Sequence, residues 1–251
     1  MIDLTGRRVV VTGGSRGIGA ACGRLFAKAG AAVLIQYLAS DERAGVLLKE
    51  LRRLSGAPHA MFRCDLTDYD QVCKLFDYAR GRWDGLDCLI NNAGVWVHDP
   101  LADLQPERLQ ATLAVNVVGP FLCARCAIPL LVGSPDAAIV NISSTAGQRG
   151  EAFYSAYAAS KGALISATKS WSSELAPEIR VNAVAPGWVD TDMTAEALSG
   201  ERREQVLASI PLHRIATPED IAAAVLFLSS PLARHITGEI LNVNGGSVLI
   251  G

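Results

Sequence analysis

Short apolar runs alternate with helix-period segments along the whole chain. Runs near Arg7–Thr12, Ala32–Tyr37, His59–Cys64, Cys88–Asn91, Ala137–Ile142, Arg180–Ala185 and Glu239–Val243 predict strands. Amphipathic segments between them predict helices over Gly17–Ala29, Asp41–Leu54, Asp68–Arg82, Gln105–Leu131, Ser155–Ala176 and Pro218–Ser229. Such strand–helix alternation predicts βα units whose right-handed crossovers build a doubly wound α/β sheet. Ala185 to Pro218 is the one long stretch without an evident strand, with a helical patch near Thr194–Ala208. An insertion of this length is expected to cover a substrate, over residues 187–215 or so. No linker, repeat or low-complexity tract interrupts residues 1–251, so one domain is expected.

Composition narrows the picture. Half of the chain is hydrophobic but only 6% is aromatic, which suits parallel strands covered on both faces. A net charge of −2 without a basic stripe gives no reason to expect nucleic acid. Neither a signal peptide nor an apolar span of 18 residues is evident, so no membrane partner and a cytoplasmic location are expected. The cysteines at 22, 64, 73, 88, 123 and 126 are scattered, and Cys123 and Cys126 read as small core-facing residues. His59, His98, His213 and His235 share no ligand spacing, so no metal site is expected.

The first strand runs into glycines at 13, 14, 17 and 19 and then an apolar helix. Such a turn lets backbone N–H groups approach a pyrophosphate at a helix N-terminus. The spacing is Gly-x3-Gly-x-Gly rather than Gly-x-Gly-x2-Gly. Strand two ends at Gln36-Tyr37, where a ribose-binding carboxylate would be expected. Arg16 in the turn, with Ser40 and Arg43 beyond the strand, suits a 2′-phosphate instead. NADP(H) is therefore the expected dinucleotide, with NAD(H) as the alternative; both arginines also read as ordinary surface charges. Asp65, after strand three, is placed either for the adenine edge or to cap the following helix.

Tyr157 and Lys161 stand four apart in Tyr-Ala-Ala-Ser-Lys, with Ser144 thirteen residues upstream of the tyrosine. On a helix, side chains at i and i+4 share a face. A phenol titrates at about 10 and becomes an acid/base near neutrality only if a cation stabilises its anion. Lys161 is placed to be that cation.

Together these residues resemble the short-chain dehydrogenase/reductase family over essentially the whole chain. The resemblance rests on Thr12-x3-Gly17-x-Gly19, Asn91-Asn92-Ala93-Gly94, Tyr157 with Lys161, Pro186-Gly187 with Thr191, and the ending Ile236–Gly246. It implies a seven-stranded Rossmann sheet and a homotetramer or homodimer built through helices 105–131 and 155–176. It implies that Tyr157 is the acid/base, that Lys161 lowers its pKa and holds the nicotinamide ribose, and that Ser144 bonds the substrate oxygen. Asn116 matches an asparagine whose helix distortion holds a relay water. Gly13, Ser15, Arg16, Gly17, Ile18, Gly19, Tyr37, Asp65, Leu66, Asn92, Ala93, Gly94, Pro186, Gly187, Val189 and Thr191 complete the implied cofactor contacts. Tyr154 lacks a lysine four residues on. Read without the resemblance, Asn116 is an ordinary helix residue, and Ser143 and Ser144 are turn formers.

Within the family, the length, the Ser-Ser-Thr-Ala-Gly segment and the Pro-Gly-Trp-Val-Asp-Thr-Asp-Met run look most like 3-oxoacyl-carrier-protein reductases. Leu130–Ala138 lacks Lys and Arg, and Ser172–Ile179 adds Glu174 and Glu178, which argues against an acidic carrier protein. The expected substrate is a 3-oxoacyl thioester on a small carrier such as coenzyme A, or a related ketone. Trp188, Val189, Met193 and Leu198 suit an acyl chain, or else merely pack the covering segment. An alcohol or sugar dehydrogenase, and a non-catalytic cofactor sensor, are the rival readings.

Overall fold

Seven strands form one all-parallel sheet in the order β3-β2-β1-β4-β5-β6-β7 in the computed structural model, which describes residues 2–249. The strands are β1 (Arg8–Val11), β2 (Ala32–Tyr37), β3 (Ala60–Arg63), β4 (Cys88–Asn91), β5 (Ala137–Ile142), β6 (Ile179–Pro186) and β7 (Ile240–Val243). The helices are α1 (Gly17–Lys28), α2 (Asp41–Leu54), α3 (Tyr69–Trp83), α4 (Pro106–Leu113), α5 (Gly119–Leu131), α6 (Thr145–Arg149), α7 (Ser155–Glu174), α8 (Gly200–Ala208) and α9 (Pro218–Leu228). The strands lie within a residue or so of the expected ranges.

Side chains alternate across β1 and thereby divide the core. Val9 and Val11 pack with α1, α2 and α9 on one face, while Val10 packs with α3, α5 and α7 on the other. The order of strand connection reverses between β1 and β4, so the connections leaving their C-terminal ends go to opposite faces of the sheet and leave a crevice there.

The expected helix over Gln105–Leu131 is not uniform. Ala114–Val118 winds as a π turn between α4 and α5, just before Gly119 and Pro120. This run also corrects the expectation of no long apolar span. Pro106–Leu131 contains an 18-residue stretch with a mean hydropathy of 1.7 and is long enough to cross a membrane. Here Cys123, Ala124, Ala127, Leu130 and Leu131 cover the sheet, which accounts for the apolar composition.

Three further features differ from expectation. The helix expected from Thr194 begins only at Gly200, because Thr194 closes a turn on Thr191 and Val189 instead. Val189 forms a bridge with Ala216 in the same segment. The short helix α6 was not foreseen, because five residues carry too little periodicity. Cys126 faces the core only in part: it is half-buried against the α3–α5 side, with its sulfur 3.8 Å from that of Cys73.

Candidate active site

The turn after β1 is held by side chains from three strands. Gln36 accepts a hydrogen bond from the Gly13 N–H at 2.8 Å and donates to the Cys64 carbonyl at 2.6 Å, tying β1 to the ends of β2 and β3. Thr12 Oγ1 accepts from the Asn92 and Ala93 N–H groups at 2.9 and 3.1 Å. Asn92 in turn donates its amide to the Thr12 carbonyl at 2.8 Å. Gly19 is fixed by close approach, since a Cβ there would stand 2.4 Å from the Gly13 carbonyl oxygen. Gly19 therefore lies behind the turn instead of facing the crevice, and is not a contact residue as expected.

The crevice has a volume of about 380 Å³ and runs from this turn to Tyr157. Gly13, Ser15, Arg16, Gly17, Ile18, Tyr37, Asp65, Leu66, Asn92, Ala93 and Gly94 line it. Tyr157, Lys161, Pro186, Gly187, Val189 and Thr191 line the remainder, as does Ser144. Asp65 does not cap α3. Asp68 does, accepting from the Gln71 N–H, while Asp65 accepts from the N–H and hydroxyl of Thr67 and shapes the crevice wall.

The outer end of the crevice holds two contacts that local sequence did not reveal. Tyr37 is buried, and its hydroxyl donates to Asp41 at 2.6 Å, so a carboxylate does stand behind the end of β2. Arg63 lies 3.9 Å from that same carboxylate. Arg16 and Arg43 both pair with Asp192, Arg16 at 3.8 Å. The two guanidiniums expected near a 2′-phosphate thus converge on one point.

At the inner end, α7 is anchored to the sheet by buried polar groups. Asn91 donates to Asn141, and Asn141 donates to Thr168 of α7, each at 2.9 Å. Ser143 donates to the Lys161 carbonyl at 2.8 Å, so it anchors the helix, whereas its neighbour Ser144 faces the crevice. Ser144 also caps α6, accepting from the Ala146 N–H at 3.1 Å. Gly147 of α6 packs against the backbone of α7: a Cβ there would fall 2.5 Å from the Lys161 carbonyl carbon. Ser144 and Tyr157 meet because these two helices touch.

The trio lines the crevice together, Tyr157 beside Ser144. Lys161 is buried, donates to the Ile142 carbonyl at 2.7 Å and lies 5.8 Å from the centre of the Tyr157 ring. Burial pushes the Tyr157 phenol up to about 12, opposed by the neighbouring Ser144 hydroxyl and aided by the charge of Glu151. Burial also lowers Lys161 to about 8. The protein atoms alone therefore do not depress the phenol as expected, because desolvation outweighs a lysine turned toward Ile142.

Asn116 sits inside the π turn and is fully buried. Its amide oxygen accepts from the Val95 N–H at 2.8 Å, and its nitrogen donates to the Val95 carbonyl and to Ser160. The expected helix distortion is present, but the side chain is spent on the protein and does not line the crevice.

A second, smaller cleft of about 110 Å³ opens beyond Ser144 and Tyr157. Trp96, Glu151 and Trp188 line it together with Met193. Leu198 does not: it packs with Val206, Ile210 and Ile215 in a core of the covering segment, while Val189 is buried in the main core. Sequence reading missed Trp96 and Glu151, which carry no motif. Tyr154 contributes by stacking on Trp96.

The family model described as Enoyl-(Acyl carrier protein) reductase matches residues 13–247. The chain is 37% identical to the 3-oxoacyl-[acyl-carrier-protein] reductase FabG of Thermotoga maritima, over 98% of this chain and 99% of that one. It is 39% identical to the FabG of Aquifex aeolicus, over 98% of each. A short-chain dehydrogenase from Burkholderia cenocepacia, solved in complex with NADP, superposes with a TM-score of 0.92 at 36% identity, covering 97% of this chain and 98% of that one. A Brucella melitensis protein described as Short-chain dehydrogenase/reductase SDR:Glucose/ribitol dehydrogenase gives 0.93 at 33% identity, over 99% of each.

Proposed function

This chain belongs to the short-chain dehydrogenase/reductase family, and from that premise we propose that it reduces 3-oxoacyl thioesters to the secondary alcohol at the expense of NADPH. One observation carries the reading: Ser144, Tyr157 and Lys161 line the inner end of the crevice that begins at the glycine turn after β1. The dinucleotide, when bound, supplies the hydride. Ser144 and Tyr157 hold the ketone oxygen, and Tyr157 delivers its proton as the alkoxide forms. Lys161 holds the nicotinamide ribose and presents its charge to the Tyr157 ring. A phenol held near 12 keeps its proton throughout the neutral range, the form that can donate to a forming alkoxide.

NADPH is preferred because Arg16, in the turn that lines the crevice, and Arg43 bring two guanidiniums to its outer end, where a 2′-phosphate would compete with Asp192 for them. Tyr37→Asp moves the preference toward NADH, since it sets a carboxylate beside Asp41 and repels the phosphate. Comparing kcat/KM for the two dinucleotides checks this. Equal efficiency with NADH in the unmodified enzyme overturns it.

The thioester is carried by coenzyme A rather than by an acidic protein. Arg7 and Arg180, the basic groups nearest the start of β5, are both engaged by Asp136 at 3.2 and 3.3 Å. Acetoacetyl-coenzyme A is expected to match or exceed acetoacetyl-carrier-protein when NADPH oxidation is followed at 340 nm or so in one buffer. A carrier-protein preference that fades steeply with salt contradicts this part of the reading. A second copy of the chain is the proposed partner, seated on the exposed Val118 and Phe121 of the helical run 106–131. We place the enzyme in the cytoplasm, where its six free cysteines stay reduced.

A further inference from the structure

The smaller cleft holds a carboxylate that the mechanism does not use. Glu151 accepts a hydrogen bond from Trp96 Nε1 at 3.3 Å and no other among the described residues. Trp96 is itself fixed: its ring stacks on Tyr154 at 4.3 Å and 8°, and Trp188 meets it edge-on at 6.0 Å and 88°. Three aromatic side chains from separate segments thus hold Glu151 in the wall beside Ser144 and Tyr157.

Two cations stand near it, Arg149, which lines the same cleft, and Arg202; neither makes an ion pair with it among the described residues, and both are exposed, where solvent and salt screen them. Burial raises the Glu151 carboxyl despite the hydrogen bond from Trp96 and despite both arginines. Its charge also adds to the upward push on Tyr157, so the field reaches the reacting oxygen.

We propose that Glu151 is a specificity-determining residue that admits uncharged carbonyl compounds and excludes those bearing a carboxylate near the ketone. The inference rests on the carbonyl-reductase reading above. A 3-oxoacyl thioester and the corresponding free 3-oxo acid share the ketone and the acyl chain, and the acid adds one negative charge close to the reacting carbon. A sheltered carboxylate rejects that charge, because like charges brought together away from water repel. The esterified form is neutral and meets no such barrier. Selection against the free acid therefore needs no contact with the carrier.

The test uses two matched pairs with NADPH: ethyl acetoacetate against acetoacetate, and ethyl levulinate against levulinate. In the unmodified enzyme kcat/KM favours each ester by ~100-fold or more, as expected for like-charge exclusion. Glu151→Gln cuts that ratio at least ~10-fold, chiefly by lowering KM for the acid. Trp96→Phe keeps the ring but removes the N–H, and cuts the ratio part of the way. A ratio unchanged in Glu151→Gln, with ethyl acetoacetate still reduced, overturns this inference and leaves the proposed function standing. A shift seen only with the levulinate pair, and no reduction of ethyl acetoacetate, supports the inference and overturns the 3-oxoacyl reading. Failure to reduce either ester overturns both.

Discussion

Tyr157→Phe abolishes ketone reduction, lowering kcat by ~10²–10⁴-fold, the range expected when a general acid is removed. Cofactor affinity stays where it was, because the ring and its packing on α7 survive. What disappears is the hydroxyl beside Ser144, and with it the proton that the forming alkoxide needs. The pH profile of the unmodified enzyme carries the same information. Tyr157, near 12, stays protonated well above neutrality, so the rate of reduction is flat through pH 7. It falls only as Lys161 loses its charge near 8. Oxidation of the alcohol runs the other way and rises with pH, because the phenolate is then the needed form. A Tyr157→Phe enzyme that kept more than about a tenth of its activity would remove Tyr157 from the proton-transfer step.

Lys161→Ala damages two measurements at once. Turnover drops by ~10²-fold or more, because the charge facing the Tyr157 ring is lost. NADPH also binds more weakly, since the ribose loses its donor. Titration of NADPH fluorescence beside steady-state kinetics separates the two effects. Unchanged cofactor affinity would show that Lys161 serves the tyrosine alone. Lys161→Met, which keeps most of the buried stem, guards against a mere packing loss and is expected to show the same pair of defects.

Much of this was legible in the sequence because it is carried by local spacing. The alternation of apolar runs gave all seven strands, and the glycine turn and the Tyr157–Lys161 pair each lie within a few residues. Features that depend on distant segments were not legible. Asp192 meets Arg16 and Arg43 across more than a hundred residues of chain, and no local pattern reports an ion pair of that kind. Asp41 lies only four residues from Tyr37, yet read as part of the next helix, because its reach back to the phenol depends on the intervening turn. The π turn at Ala114–Val118 sits within an unbroken apolar period, so hydropathy ran straight through it. The aromatic wall draws Trp96, Tyr154 and Trp188 from three segments and is visible only once they are folded together. The phenol's upward shift was missed for another reason. Spacing put a cation near Tyr157, whereas burial, which spacing does not report, outweighs it.

The contact of Gly147 with the backbone of Lys161 also bears on how such an enzyme can change over generations. Trp96, Glu151 and Met193 lie outside the helices that carry the trio, where exchange alters which ketone fits without moving Ser144 or Tyr157. Gly147 has no side chain to exchange, and any addition there wedges apart the two helices that bring the trio together. Descendants of this chain are free to drift toward new substrates at the smaller cleft while the chemistry is inherited unchanged. The position that enforces that inheritance is one that never touches a substrate.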